Sequence, residues 1–234
     1  MIRASLLLTI IAAAMAAIPF AQPATGQEET DQRLGTVHFP TSCSEVAQRR
    51  FDRGMRYQHS FATRAAGEIF SDVLKADPDC GIAYWGIALS LLDNPYGRPS
   101  NEKLALGLTA IENGKKVGAK SQRERDYIDA LAAYYHDYQK TPYDMRVQAY
   151  LKTMESLATR YSDDDEAQIV YALALSLAAS PNDKTYANQL NGAAILETIF
   201  KRQPRHPGVA HYLIHLYDAP PIAERGLDAA RRYS

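Results

Sequence analysis

From residue 42 onward this chain spaces its apolar residues three and four apart, and that period leaves room for little except helices. "RAAGEIFSDVLKA" sets Ile69, Phe70, Val73 and Leu74 on one stripe and stops at "DPDCG". "GIAYWGIALSLL" follows and ends at "DNPYGRPS". "SQRERDYIDALAAYYHDY" puts Tyr127, Leu131, Tyr134, Tyr135 and Tyr138 on one face. Helices also fit 101–117, 143–161, 164–179, 185–202, 208–217 and 221–233. Two starts carry the Ser-x-x-Glu signature of a capping box, Ser42 with Glu45 and Ser121 with Glu124. No segment alternates like a strand, and no Asn-Gly hairpin turn occurs. The fold class expected is all-α.

The first residues follow other rules. Arg3 is the only charge before Glu28, and "LLLTIIAAAMAA" (6–17) is an apolar run closed by Pro19, Pro23 and small residues. A charged start, a short apolar core and a small-residue exit describe a secretory signal peptide over residues 1–26, cut near Ala21 or Gly26. The run is shorter than the roughly 20 residues needed to span a bilayer, so stable membrane insertion is not expected. Residues 27–41 are polar and poor in pattern and read as a flexible lead-in to a domain over 42–234. Without residues 1–26 the chain has 25 basic and 27 acidic residues, a net charge of −2. That balance gives no reason to expect nucleic acid as a partner.

Inside the helical domain one spacing is specific. Gly54, Tyr57, Ala66, Phe70 and Pro78 lie at +3, +12, +16 and +24 from the glycine, a pattern similar to a tetratricopeptide repeat. Each residue has a packing task. Gly54 and Ala66 let two helices approach closely, Tyr57 and Phe70 fill the space between them, and Pro78 ends the pair. Arg50 and Arg53 stand where that family favours Trp and Leu, with Phe51 as the substitute. Ile199 and Pro207 repeat the Phe70–Pro78 spacing near the end. The segments "DPDCGIAYWGIAL", "ERDYIDALAAYY", "DDDEAQIVYALALSLAA" and "HPGVAHYLIHLYDAP" resemble a group of exported bacterial tetratricopeptide-repeat proteins of unassigned function. The resemblance runs from about Cys43 to the end. It implies four or five antiparallel helical hairpins stacked into a curved right-handed solenoid, with a concave groove that binds a peptide or protein. It also implies a periplasmic or secreted location. Members of that group usually continue with further helices, so the resemblance marks this chain, which stops in "GLDAARRYS", as a fragment or a shortened relative.

The two cysteines, Cys43 and Cys80, open the leading helices of the first and second repeats. Stacked repeats run those helices side by side, so their starts are neighbours. A disulfide needs Cα atoms about 4.4–6.8 Å apart, closer than the usual 8–10 Å between helices, so the entry segments must lean together. The alternative is two unrelated buried thiols.

No G-x-S-x-G elbow, H-E-x-x-H, C-x-x-C, Walker loop or G-x-G-x-x-G is present, and no nucleophile sits beside a visible base. Neither catalysis nor a resident cofactor is expected. "DDDE" at 163–166 reads as acids complementing a helix dipole, with cation binding as the alternative. "HPGVAHYLIHLYD" (206–218) holds three of the six histidines. On a helix over 208–217, Leu213 and Leu216 lie within about 40° of Val209, whereas His211, His215 and Asp218 fall roughly 180–240° away. Two readings follow for that polar stripe. It is a ligand set for a divalent transition metal such as zinc, with histidines at i and i+4 and a carboxylate as third ligand, which would make the chain a metal-binding protein or a metal-dependent enzyme. Otherwise its histidines hydrogen-bond to a neighbouring Tyr or Glu. His59 reads as a core or groove histidine, and Tyr84 and Trp85 as packing residues.

Overall fold

The computed structural model describes residues 33–93 and 97–233, all-helical with no strand among them. Residues 1–26, expected to be a signal peptide, and the first part of the lead-in lie outside the described residues. Among the described residues ten α-helices follow one another: α1 (Glu45–His59), α2 (Thr63–Ala76), α3 (Ile82–Leu91), α4 (Asn101–Val117), α5 (Gln122–Tyr135), α6 (Tyr143–Arg160), α7 (Asp165–Leu177), α8 (Ala187–Arg202), α9 (Pro207–Leu216) and α10 (Leu227–Tyr233), with a 3-10 turn at Ala223–Gly226 before the last. No helix among the described residues is long and apolar enough to cross a membrane.

Helix starts show how local chemistry sets these bounds. Ser121 and Glu124 form the expected capping box at α5. Ser100 accepts the Lys103 N–H at α4, and Asp164 accepts the Glu166 N–H at α7. Pro207 occupies the first position of α9, where its missing N–H costs nothing. The box expected at Ser42 and Glu45 does not form. α1 starts after Ser44 without a side-chain cap, and Ser42 turns to Glu124 instead, its N–H donating at 2.6 Å and its hydroxyl at 2.5 Å. Ser42 lies two residues before the N-cap of α1, out of register for the box.

Each helix packs on the next, and helices two apart also touch: α1 with α3, α3 with α5, α7 with α9. A Cβ on Gly54 would stand 2.6 Å from the Phe70 ring, and one on Gly86 at the same distance from that ring. Phe70 is therefore clamped between α1 and α3 through two glycines, with Ala66 fully buried one turn before it. Tyr57 packs partly buried against the core, and Pro78 lies in the exposed turn after α2.

A large apolar core extends from α1 to α7, and a smaller one lies among α7, α8, α9 and α10. α7 serves both, sending Ala167, Val170 and Ala174 to the first and Ile169 and Ala172 to the second. Its polar N-terminus sits on the seam between them. α9 also packs against α1, so the end of the described chain returns to its beginning.

Cys43 and Cys80 are joined, with Cα atoms 5.1 Å apart. The lead-in differs from the flexible segment expected. Residues 36–40 are extended, with Thr36, His38 and Pro40 outward and Val37 and Phe39 inward, Phe39 at 0% exposure. Its inward residues join the large core, so from Thr36 onward the lead-in belongs to the fold.

Candidate functional site

α1, α3 and α5 turn Phe51, Trp85 and Tyr127 toward a common interior, and Phe39 fills the space between them. Its ring centroid lies 5.1, 5.4 and 5.0 Å from theirs, with the Arg123 guanidinium 4.3 Å above it. The backbone of this strap is read by side chains. The Phe39 N–H donates to Asp52 Oδ1 (2.9 Å), Gln48 Nε2 donates to the Phe39 carbonyl (2.8 Å), Arg123 Nη1 donates to the Pro40 carbonyl (2.9 Å), and the Thr41 N–H donates to Gln48 Oε1 (2.7 Å). Upstream, the Thr36 N–H donates to the Arg205 carbonyl at 3.0 Å. Gly35 makes that approach possible: its φ is +80°, and a Cβ there would stand 2.2 Å from the Arg205 oxygen.

Below the strap, four of the six histidines gather. His59 is the last residue of α1, Glu166 the second of α7, and His206 the residue preceding α9. All three are buried, at 1%, 4% and 2% exposure. Glu166 Oε2 lies 3.0 Å from His59 Nε2, and its Oε1 lies 2.8 Å from His206 Nε2. His59 Nδ1 meets the Tyr212 hydroxyl at 2.9 Å. Burial alone would push the Glu166 carboxyl up, but the two imidazoles outweigh it and hold it well below the usual carboxylate range. Burial also drives His59 toward its neutral form, against the pull of Glu166.

The stripe read from the sequence lies beside this cluster. Leu213 and Leu216 are buried as the helical phase requires. His211 and His215 are half-buried, their Nε2 atoms 3.1 Å apart, so the two rings do meet. His211 Nδ1 donates to the His59 carbonyl at 2.8 Å, which fixes its tautomer and leaves Nε2 to accept from His215. Phe61, held at a positive φ of 56° where α1 ends, sets its ring 4.3 Å from His211 and 5.6 Å from His215. Burial pushes both imidazoles toward neutral. Asp218 follows the end of α9 and is exposed; its charge reaches His215, but the group of three that converges among the described residues does not include it. Among the described residues, the His, Cys, Asp and Glu side chains that converge in a group of three are His59, Glu166 and His206, one ligand atom from each lying within 4.8 Å of the others.

Sequence reasoning left His206 before the helix 208–217 and read His59 as a core or groove histidine, but had no means of joining them across 147 residues. It read "DDDE" as helix-dipole chemistry. In the structure Asp164 takes Arg123 (2.6 Å), Asp165 pairs with Arg202 and Glu166 takes the two histidines. Compared with known protein families, with curated proteins and with solved structures, the chain finds no match. Fold and site together define an all-helical protein with a self-filled aromatic interior and a buried histidine–carboxylate cluster.

Proposed function

We propose that this chain is an exported helical-repeat protein of the tetratricopeptide kind, whose leading helices hold an extended segment of polypeptide. Support for the repeat comes from the Gly54–Phe70–Gly86 clamp and from the contacts between helices two apart. On this reading α1, α3, α5, α7 and α9 lead five hairpins stacked as a right-handed solenoid. The Cys43–Cys80 bond supports an oxidising compartment, as the signal-peptide pattern of residues 1–26 does.

The observation that carries the binding role is the grip on residues 39–41. Gln48, Asp52 and Arg123 bond to the main chain of three consecutive residues, and one aromatic side chain drops into a ring-lined pocket. Main-chain bonds give affinity regardless of sequence, while the pocket selects the side chain. The surface therefore suits an extended peptide carrying an aromatic residue, and the chain's own strap is its resident occupant. A partner peptide enters by exchange with residues 36–41, while the Cys43–Cys80 bond keeps the strap close by.

The test uses Trp85, the single tryptophan. A protein beginning at Thr41 is titrated with a synthetic peptide of residues 33–41, following Trp85 fluorescence. Saturable binding that weakens at least tenfold when the peptide's Phe39 is replaced by Ala is expected. The full-length Phe39→Ala protein, with the strap still tethered, is titrated in parallel in case the shortened chain does not fold. No binding of the peptide by either protein overturns the reading.

A further inference from the structure

We propose that His59, Glu166 and His206 form a metal centre for a divalent transition ion of the zinc class, which ties α1, α7 and α9 together. Nothing in the peptide-holding role requires it, and it uses residues other than the His211–His215 pair.

Proton bookkeeping is the first argument. With Glu166 ionised, each imidazole donates its Nε2–H to one carboxylate oxygen. His59 is then complete, because its Nδ1 accepts the Tyr212 hydroxyl proton. His206 is not complete, since its Nδ1 is buried without a partner. If that nitrogen carries no proton, the site holds a buried net negative charge. If it does, the proton lacks an acceptor. Either state is costly in a dry interior. A divalent cation between the two Nε2 atoms offsets the buried carboxylate charge; the imidazole protons then sit on Nδ1, where His59 has the Tyr212 hydroxyl as acceptor and His206 Nδ1 stays unpartnered with or without the ion.

Geometry is the second. The donors are two imidazole nitrogens and a carboxylate on three separate helix ends, a set found in three-ligand zinc sites with one position left for water or another ligand. Bonds of about 2.0–2.2 Å set tetrahedral ligand atoms roughly 3.4 Å apart, between the 2.8 and 3.0 Å contacts, which fall on the two separate carboxylate oxygens, and the 4.8 Å that bounds the group of three. The outer contact is in place as well. Once Nε2 binds metal, His59 Nδ1–H donates to Tyr212, the kind of bond that orients a ligating imidazole. Nitrogen donors without thiolate favour Zn²⁺ and its first-row neighbours over Ca²⁺ or Mg²⁺.

Access is the third. Glu166 forms part of the wall of an open cavity of about 550 Å³ whose other walls include Asp163, Asp164, Asp165, His38, Arg123 and Arg160. The cavity offers an approach to the carboxylate that supplies one ligand.

The full-length protein, disulfide intact, is stripped with chelator and titrated with Zn²⁺, both when folded and during refolding from urea. One equivalent bound, with a rise in Tm, is expected. Glu166→Gln keeps the shape and a hydrogen-bonding group, and should weaken binding about 100-fold or more, beyond the 10–100-fold loss typical of outer-shell changes. The His211→Ala/His215→Ala protein should still bind one equivalent. Co²⁺ substitution should give the absorption of a tetrahedral site with nitrogen and oxygen ligands, a readout that does not depend on variants folding. Absence of stoichiometric binding under both loading conditions overturns the centre and leaves a hydrogen-bonded network. Binding that survives Glu166→Gln but disappears with the histidine pair overturns it in favour of His211 and His215.

Discussion

Replacing Phe39 with alanine is the sharpest test of the fold, because the sequence places this residue in a loose lead-in and the structure places it at the centre of the core. Its ring is wholly buried against Phe51, Trp85 and Tyr127, with a guanidinium over its face. Deleting a buried phenylalanine ring costs about 3–5 kcal/mol, the lost transfer energy plus the cavity left behind. The lost Arg123 contact adds roughly 0.5–2 kcal/mol. The strap can respond in two ways. If it stays, the cavity remains; if it peels away, Trp85 and Tyr127 meet water and the four main-chain bonds of residues 39–41 are lost. With the strap in place the two contributions sum to about 3.5–7 kcal/mol. Urea unfolding followed by Trp85 fluorescence measures the total, and hydrogen exchange at the amide of position 39, which donates to Asp52, separates the routes. A substitution in a mobile segment changes stability by about 0.5 kcal/mol or less. A measured loss below about 1 kcal/mol would refute the packed strap, and with it the resident occupant of the peptide site.

Four further outcomes follow from particular contacts. Reducing the Cys43–Cys80 bond reopens a loop with a sequence separation of 37, for which the chain-entropy relation gives a loss of about 4 kcal/mol, read as the difference between oxidised and reduced urea curves. Gly107→Ala should destabilise by about 1–3 kcal/mol through overpacking, because a Cβ there would stand 2.2 Å from the Tyr135 ring, whose hydroxyl is bonded to the Ala88 carbonyl at 2.7 Å; thermal unfolding checks it. Burial pushes Tyr134 and Tyr217 up to about 12 from an ordinary 10.0, and Tyr217 is held further by its bond to Glu197. The folded state therefore keeps those protons longer, its stability is complete below pH 10 and falls as pH rises toward 12, and tyrosinate absorbance should appear together with unfolding. His211→Ala/His215→Ala should lower stability by roughly 1–3 kcal/mol, since the His59 carbonyl loses its donor; an unchanged melting curve would show that the pair is not structural.

The helices were legible in the sequence because the signals that make them are local. The apolar period and the Ser121–Glu124 box act within one or two turns, and a reader of the chain sees the same neighbours that the backbone does. The Gly54–Phe70 packing was legible for a related reason, being set by a fixed spacing inside one pair of helices. The Cys43–Cys80 bond joins the starts of two helices that are close in the chain, α1 and α3. The strap and the histidine cluster were of another kind. Nothing near Phe39 announces Trp85 or Tyr127, and its polar surroundings argue for solvent until three helices supply a ring-lined space. His59, Glu166 and His206 each have an ordinary local reading, as a helix end, a first-turn acid and a residue before proline. They become one site only because α9 returns to α1 and the start of α7 lies on the seam between two cores. Asp218 shows the same limit from the other side: helical phase placed it with His211 and His215, but α9 ends at Leu216, and past that end the phase no longer determines where a side chain goes. Local chemistry decides where helices begin and which face is apolar, whereas the meeting of groups more than a hundred residues apart is decided by how the helices pack.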